Sequence, residues 1–161
     1  MSEGTAPRII RRRGFHLVGV PLFGNPLHDD FAKAWELFGQ IVNETPGLRR
    51  RQRLYGLQIY PPAYPQPFEF VYLAGVQVGA GVATPLRCLR KELPPSAYAV
   101  FDVIGGPKGI DNAYRRAYKN WLPSSDYVQA FPYDFEQYDA PAGAEKDSSR
   151  ISVWVPIRRR T

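Results

Sequence analysis

The feature of the sequence that most constrains its fold is an order of predicted elements that occurs twice: strand, helix, strand, strand. In each half, a segment with apolar residues at helical spacing follows one strand and precedes two more. The predicted strands are residues 14–20, 54–60, 68–78, 98–104, 131–139 and 151–157. Two such units usually form an antiparallel sheet with the helices on one face. We therefore predict an α+β fold of two duplicated modules with two helices and a central pocket where the halves meet.

The two helices are predicted over residues 31–42 and 110–121, where apolar side chains recur every three or four positions. A proline-rich segment, residues 61–67, separates two strands of the first half and contains four prolines. Because each proline fixes φ and lacks an N–H donor, this segment is expected to be a stiff connection. Whether it covers the pocket is left open by the sequence.

With 161 residues, the chain has the size of one domain. We expect a single ligand-binding domain at residues 14–157, made of pseudo-repeats 14–80 and 93–157. A flexible basic arm is expected at residues 1–13 and a basic tail at residues 158–161.

The formal net charge is +6, which favours an anionic partner. Much of the excess lies in arginine clusters at residues 11–13, 49–53 and 158–160. These clusters are interpreted either as solvated loops and tails or as a patch for an acidic protein partner. Direct nucleic-acid binding is not expected, because no predicted helix carries the basic residues.

Several classes of site are disfavoured by composition. The single cysteine, Cys88, excludes an intramolecular disulfide, and two histidines leave little material for a metal centre. The glycine-rich stretch at residues 105–109 lacks the phosphate-binding P-loop pattern, and no cofactor is expected. No apolar run reaches the roughly 18–20 residues of a membrane span, so we expect a cytoplasmic protein without a membrane partner.

One carboxylate does not fit an apolar core. Aromatic residues make up 14% of the chain, and Glu136 lies in a strand with rings on both sides in sequence. Side chains alternate along a strand, so Glu136 shares a face with Asp134 and Tyr138. Glu136 either points to solvent or is a lone anion in an aromatic pocket. Burial without a partner would cost several kcal/mol or raise its pKa, which a protein tolerates mainly where a ligand offsets the cost.

The order and spacing of several segments resemble the GyrI-like small-molecule-binding domains. This family includes the effector-binding halves of multidrug-sensing transcription regulators and single-domain relatives. The segments that carry the resemblance are the helix with Trp35 and Phe38, and residues 70–76, 98–101, 105–106, 121–127, 135–138 and 151–157. The resemblance implies two strand–helix–strand–strand modules around a central pocket, in which Glu136 contacts cationic ligands. It also implies that some stand-alone relatives inhibit DNA gyrase, and that others resemble hydrolases that open strained toxins.

From these observations we expect a stand-alone binding protein for lipophilic, cationic aromatic small molecules. Glu136 would neutralise the ligand, because a carboxylate among ring faces suits a flat cation. The expected ring faces are those of Tyr72, Tyr138, Trp154, Trp35 and Tyr114. Two alternatives remain open at this point. In the first, the protein is a hydrolase that uses Glu136 as a general acid or base, with Glu69 as a second carboxylate. In the second, it has a protein-interaction role like that of a gyrase inhibitor.

Overall fold

A computed structural model of the protein describes residues 6–48, 53–139 and 150–161. The arginines at 49–51 and all of residues 141–149, for which the sequence predicts a polar loop, lie outside the described residues.

The secondary structure consists of nine strands and two main helical segments in this part of the chain. The strands are β1 (Arg8–Arg12), β2 (Phe15–Gly24), β3 (Arg53–Ile59), β4 (Phe70–Val78), β5 (Leu89–Leu93), β6 (Ser96–Asp102), β7 (Tyr127–Gln129), β8 (Tyr133–Asp139) and β9 (Arg150–Arg159). The helices are α1 (Ala32–Glu44) and α2 (Ile110–Arg115), the latter continued by a π-helical segment (Arg116–Trp121) and a short turn α3 (Leu122–Ser124).

All strands join one antiparallel sheet in the order β1-β6-β9-β8-β3-β4-β2-β5, and β7 pairs with β9. Strands β2, β4 and β3 come from the first half of the chain, and β6, β9 and β8 from the second. The halves meet where β3 pairs with β8. The predicted α+β fold of two duplicated modules is confirmed.

The face of the sheet that carries the helices has a separate apolar cluster under each helix. Helix α1 buries Phe38 and Ile41 against β2 and β4. Helix α2 and its π-helical continuation bury the small residues Ala113 and Ala117 over β6 and β9. The space between the two clusters, above β3 and β8, is filled by neither cluster.

The opposite face is filled by the sheet's own side chains, because the sheet curls on itself. Rings from several strands meet edge to face or stacked there, with Phe15, Tyr55 and Trp154 all within 6 Å of the Phe135 ring centre. In the described residues, every helix is too short or too polar to span a membrane.

The expectation of a flexible arm at residues 1–13 is wrong for residues 8–12, which form β1 and pair with β6. Arg12 accounts for much of this order, because its guanidinium lies 3.7 Å from the Phe15 ring centre and donates to the Tyr55 hydroxyl at 2.8 Å. At the other end, β9 continues through Arg159, so part of the expected tail is also strand. Neither β5 nor β7 was predicted from the sequence, since both are short and lack a clear apolar alternation.

A close crossing of β2 and β4 generates a first prediction. Gly19 and Gly75 face each other across the ladder, and a Cβ on Gly75 would lie 2.9 Å from the Gly19 Cα. We expect Gly75→Ala to lower stability by about 2 kcal/mol, because the strands must separate. That corresponds to a fall in Tm of roughly 4–8 °C in a scanning calorimeter.

The matched control is Gly39→Ala in α1, where an added Cβ meets nothing within 4 Å. This variant should gain up to about 1 kcal/mol from helix propensity. Equal behaviour of the two variants would show that the glycine pair does not set the strand separation.

Candidate functional site

A cleft of about 1010 Å³ lies between α1, α2 and the proline-rich segment. Its floor is formed by side chains of β3, β4 and β8, the strands at and beside the junction of the two halves. Pro61, Pro62, Tyr64 and Pro65 line one wall, so the proline-rich segment does border the cleft. Aromatic rings dominate the lining and include those of Trp35, Tyr60, Phe70, Tyr72, Tyr114 and Tyr118.

Glu136 lies in the floor of this cleft and is only 5% exposed. The Gln58 amide donates to its Oε1 at 3.1 Å, and the Tyr72 hydroxyl donates to its Oε2 at 3.4 Å. The Trp35 indole N–H in turn donates to the Tyr72 oxygen at 2.9 Å. Among the residues that the structure describes, no lysine or arginine forms an ion pair with Glu136. Its negative charge, when present, is therefore balanced only by neutral donors.

Gly56 makes room for this carboxyl group. It is the β3 residue directly opposite Glu136 in the ladder. A Cβ at position 56 would collide with Glu136 Oε2 and with the Tyr72 hydroxyl, and would lie 3.0 Å from the Tyr72 Cζ. The absence of a side chain on β3 thus allows the acid of β8 and the tyrosine of β4 to meet across an intervening strand.

Burial raises the pKa of Glu136 to about 8, and the charge of Asp134 adds to this effect. Hydrogen bonds from Tyr114, Tyr72 and Gln58 act in the opposite direction and do not offset the burial. Burial thus favours the protonated form of Glu136 well above the pH at which a solvated glutamate ionises.

Asp134 is a second buried carboxyl group that the sequence analysis did not select. It is 0% exposed, and its Oδ2 accepts hydrogen bonds from the hydroxyls of Tyr60 at 2.7 Å and Tyr118 at 2.5 Å. Burial raises its pKa to about 7, and these hydroxyls oppose the shift. The alternation of side chains along the strand could have identified Asp134, because it places Asp134 on the same face as Glu136.

Gln58 was also missed, and its role depends on strand register. Gln58 of β3 lies opposite Asp134 of β8 on one side and opposite Tyr72 of β4 on the other. Its Oε1 accepts from the Tyr60 hydroxyl at 2.8 Å, and its amide nitrogen contacts the Tyr114 hydroxyl at 3.0 Å. Gln58 therefore connects the surroundings of both carboxyl groups.

The structure brings together four of the six predicted ligand-binding residues, since Glu136, Tyr72, Trp35 and Tyr114 all line the cleft. Tyr138 lies just outside the lining, where its ring meets the Trp35 ring edge to face at 5.6 Å.

Trp154 is not in the cleft. It pairs with Phe135 in the ladder and stacks on that ring at 5.6 Å, on the opposite face of the sheet. Because Phe135 and Glu136 alternate, a residue that shares a face with Phe135 points away from the acid. The prediction of Trp154 as a ring face for the ligand is corrected accordingly.

Glu69 does not pair with Glu136 as a second carboxylate of the pocket. It precedes β4, is half-buried and does not line the cleft. The ladder register makes Gly56, rather than Glu69, the first-half counterpart of Glu136. Within the described residues no group of three or more His, Cys, Asp and Glu side chains could hold a metal ion.

Comparisons with known proteins add a family and several relatives. A sequence model of the GyrI-like small molecule binding domain matches residues 5–158. The transcriptional regulator BrlR of Pseudomonas aeruginosa is 29% identical over 151 residues, which are 93% of this chain and 54% of BrlR. The chain thus spans about half the length of this curated relative.

Solved structures with the same fold include proteins of different described roles. SAV2435 bound to tetraphenylphosphonium has a TM-score of 0.74 at 15% identity, covering 96% of this chain and 94% of that chain. The C-terminal domain of EcmrR has a TM-score of 0.72 at 13% identity, covering 98% and 99%. A hydrolase encoded by lin2189 from Listeria innocua has a TM-score of 0.57 at 9% identity, covering 98% and 94%. At these identities the likeness concerns the fold alone.

The role of Gly56 gives a prediction about stability. We expect Gly56→Ala to cost about 1–3 kcal/mol, because the new methyl group must displace the Glu136 carboxyl and the Tyr72 hydroxyl. In a Tyr72→Phe background the same substitution should cost less, since one of the colliding atoms is gone. Urea unfolding of the four proteins measures this coupling, and strictly additive costs would contradict the proposed contact.

The raised pKa of Glu136 predicts a pH dependence of stability. Its pKa in the folded protein lies above its ordinary value of 4.5, so the folded state holds the proton more tightly than the unfolded state. Stability from this group is complete below the unfolded pKa and is lost as pH rises through about 8, with a slope of up to about 1.4 kcal/mol per pH unit.

We therefore expect Glu136→Gln to be more stable than the parent at about pH 9, and to lose this advantage at about pH 5. Urea unfolding at several pH values tests it. A constant difference between the two proteins at all pH values would mean that Glu136 is not held protonated by burial.

Proposed function

The chain belongs to the GyrI-like small-molecule-binding domain family, and we propose that its cleft binds a lipophilic organic cation against Glu136. The observation that carries this proposal is the carboxyl group itself, which is buried among rings and has no basic partner in the described part of the chain. A cation supplied from outside would complete an ion pair that the protein leaves incomplete. Small-molecule binding is the property that the family's description gives.

The free energy of such binding comes from the ion pair and the rings together. Removing Glu136 from water is unfavourable in the empty cleft, which is why its pKa is raised. A bound cation favours the charged carboxylate and offsets this cost. Each ring face that meets the cation contributes roughly 0.5–2 kcal/mol when water is excluded. Selection for positive charge then depends on Glu136, and tolerance of ligand shape on the rings.

The rings are held in pairs, which gives the ligand preformed walls. Phe31 stacks on Tyr72 at 5.1 Å between ring centres, on the α1 side of the cleft. Tyr114 and Tyr118 stack at 6.5 Å on the α2 side. A flat or multi-ring ligand between these walls would contact apolar surface without ordering many loose side chains.

The overall charge of the protein opposes cation binding only at long range. A net charge of +6 repels cations at long range. Physiological salt confines that repulsion to about 8 Å, so the local site dominates once a ligand reaches the cleft. The tetraphenylphosphonium held by the structurally similar SAV2435 is a lipophilic aromatic cation of this kind.

Hydrolysis is a second candidate function, and one observation favours it. Two buried carboxyl groups with raised pKa values lie beside the hydroxyls of Tyr60, Tyr72 and Tyr118, an arrangement suited to general acid–base chemistry. The fold is also that of the Listeria innocua hydrolase. Glu69 contributes nothing to this candidate because it lies outside the cleft. Catalytic turnover of a strained electrophile that depends on Glu136 would favour hydrolysis over binding alone.

A regulatory or protein-interaction role would use the same ligand-binding domain. BrlR is a transcriptional regulator about half of which aligns with this chain, so an effector-sensing role is consistent with the proposal. Within the first arginine cluster, Arg12 is engaged by rings and by hydrogen bonds and is therefore not available to an acidic partner.

Tetraphenylphosphonium titration, followed by calorimetry or tryptophan fluorescence, tests the proposed function. We expect Glu136→Gln to bind at least about tenfold more weakly than the parent, a loss of about 1.4 kcal/mol or more, because the buried ion pair is gone. The matched control is Glu69→Gln, which changes the net charge equally from outside the cleft and should bind within about twofold of the parent. Equal affinities of parent and Glu136→Gln would refute the charge role of this residue.

A further inference from the structure

The Tyr60 hydroxyl has two acceptors and only one hydrogen to donate. Its oxygen lies 2.8 Å from Gln58 Oε1 and 2.7 Å from Asp134 Oδ2. The Tyr118 hydroxyl, 2.5 Å from the same Oδ2, supplies its own hydrogen to that contact. If Asp134 were ionised and Gln58 oriented as observed, the Tyr60 hydrogen could point to only one of these two acceptors. The Tyr60 oxygen would then lie within 2.8 Å of the other acceptor oxygen, in a buried site, with no hydrogen between them. An additional hydrogen is therefore required.

In the observed orientation of the Gln58 amide, Asp134 must carry this hydrogen. The protonated Oδ2 then donates to Tyr60, and Tyr60 donates to Gln58 Oε1. The Gln58 nitrogen donates to Glu136 Oε1, and Tyr72 donates to Oε2. Every hydrogen bond in this series then has one donor and one acceptor, provided that Glu136 is a carboxylate.

The alternative orientation, in which the amide is turned over, reverses the assignment. The Gln58 nitrogen then donates to the Tyr60 oxygen, and the Tyr60 hydrogen turns to an ionised Asp134. The Gln58 oxygen now faces Glu136, which must be protonated to donate to it. Either orientation therefore requires at least one hydrogen on the two carboxyl groups, and the amide decides which of them must hold it.

We propose that Gln58 couples Asp134 and Glu136 as a pair that shares one proton, which resides on Asp134 in the observed orientation of the amide, and that the cleft binds a cation in this orientation against an ionised Glu136. This inference rests on the proposed function. When the amide turns from the alternative to the observed orientation, Glu136 loses one proton, Asp134 gains one, and the Tyr60 hydrogen moves from Asp134 to Gln58. No proton enters or leaves the solvent, and binding of a cation at neutral pH is not opposed by the need to expel one.

Asp134 does not line the cleft, whereas Tyr60 and Tyr118 do. Because Asp134 acts through the hydroxyls of these two tyrosines, it is a positioning residue. The pKa of both carboxyl groups is raised by burial, to about 7 for Asp134 and about 8 for Glu136, with the Asp134 charge raising the latter. Both values lie near neutral pH, which agrees with one proton held by the pair. The titratable or charged side chains around the pair are those of Tyr60, Tyr64, Tyr72, Tyr114, Tyr118 and Tyr138, with Asp111 and Lys119 in the cleft lining.

The proton count on binding tests this inference. Tetraphenylphosphonium has no titratable group, so calorimetry at about pH 7.5 in buffers of different ionisation enthalpy measures protons that come from the protein alone. We expect the parent protein to release close to none. If the proton of Glu136 is instead lost to solvent, release should approach one proton per ligand, and that result would overturn the inference.

Infrared spectroscopy identifies the residue that holds the proton. In the parent complex at about pH 7.5 we expect the C=O band of a protonated carboxyl group to persist. The band should be missing from the complex of Asp134→Asn and present in that of Glu69→Gln. Loss of the band in the parent complex, or its persistence in the Asp134→Asn complex, would contradict the assignment.

The calorimetric count uses the unmodified protein, so it stands even if Asp134→Asn fails to fold. The two proposals also fail separately. Failure of the parent protein to bind tetraphenylphosphonium would refute the proposed function. Binding with release of a proton would refute only the inference that the two carboxyl groups share one proton.

Discussion

The burial of the Glu136 carboxyl group at the junction of β3 and β8 is the constraint on which the rest of the site depends. A carboxyl group that is 5% exposed and has no basic partner among the described residues must either stay protonated or be surrounded by donors. The protein does both, since burial raises the pKa and Gln58, Tyr72 and Tyr114 supply hydrogen bonds. Gly56 is the backbone feature that permits this, because any side chain there would occupy the position of the acid. The site thus depends on the pairing of the two halves as much as on any residue within one half.

The two faces of the sheet differ in whether a cation of the chain itself already contacts their aromatic rings. On the face away from the helices, the rings of Phe15 and Tyr55 already contact a cation, the Arg12 guanidinium, which also donates to Gln77. On the helix-bearing face, the rings surround a carboxyl group and leave an open cleft of about 1010 Å³. The same strands β3 and β8 contribute to both faces by alternation, with Tyr55 beside Gly56 and Phe135 beside Glu136. One face is completed by a cation from within the chain, and the other is the face on which we propose that a cation from outside binds.

Sequence reasoning identified the repeated order of elements and the acid, because both depend on local patterns. Apolar periodicity located α1 and α2, and alternation separated Glu136 from Phe135. It failed where the answer depends on strand register. Trp154 was grouped with Glu136 by its aromatic character alone, although its partner in the ladder is Phe135. Gln58 and Gly56 carry no signal of their own, since a glutamine and a glycine in a strand gain their roles only from the residues opposite them. The strand β1 was missed because its order comes from long-range contacts of Arg12 with Tyr55 and Phe15.

A buried acid that served only to attract cations would be inefficient in this environment, since burial raises its pKa and favours its protonated form. The neighbouring Asp134, Tyr60 and Gln58 change this balance because they offer the proton a second position within hydrogen-bonding distance. The free energy needed to charge Glu136 then becomes the difference between two buried positions, rather than the full cost of transferring a proton to water. That difference is small when both carboxyl groups have similarly raised pKa values, as these do. Under the proposed function, a cation that approaches Glu136 need only supply this small difference, which is how we propose that an aromatic cleft in a basic protein selects for positive charge.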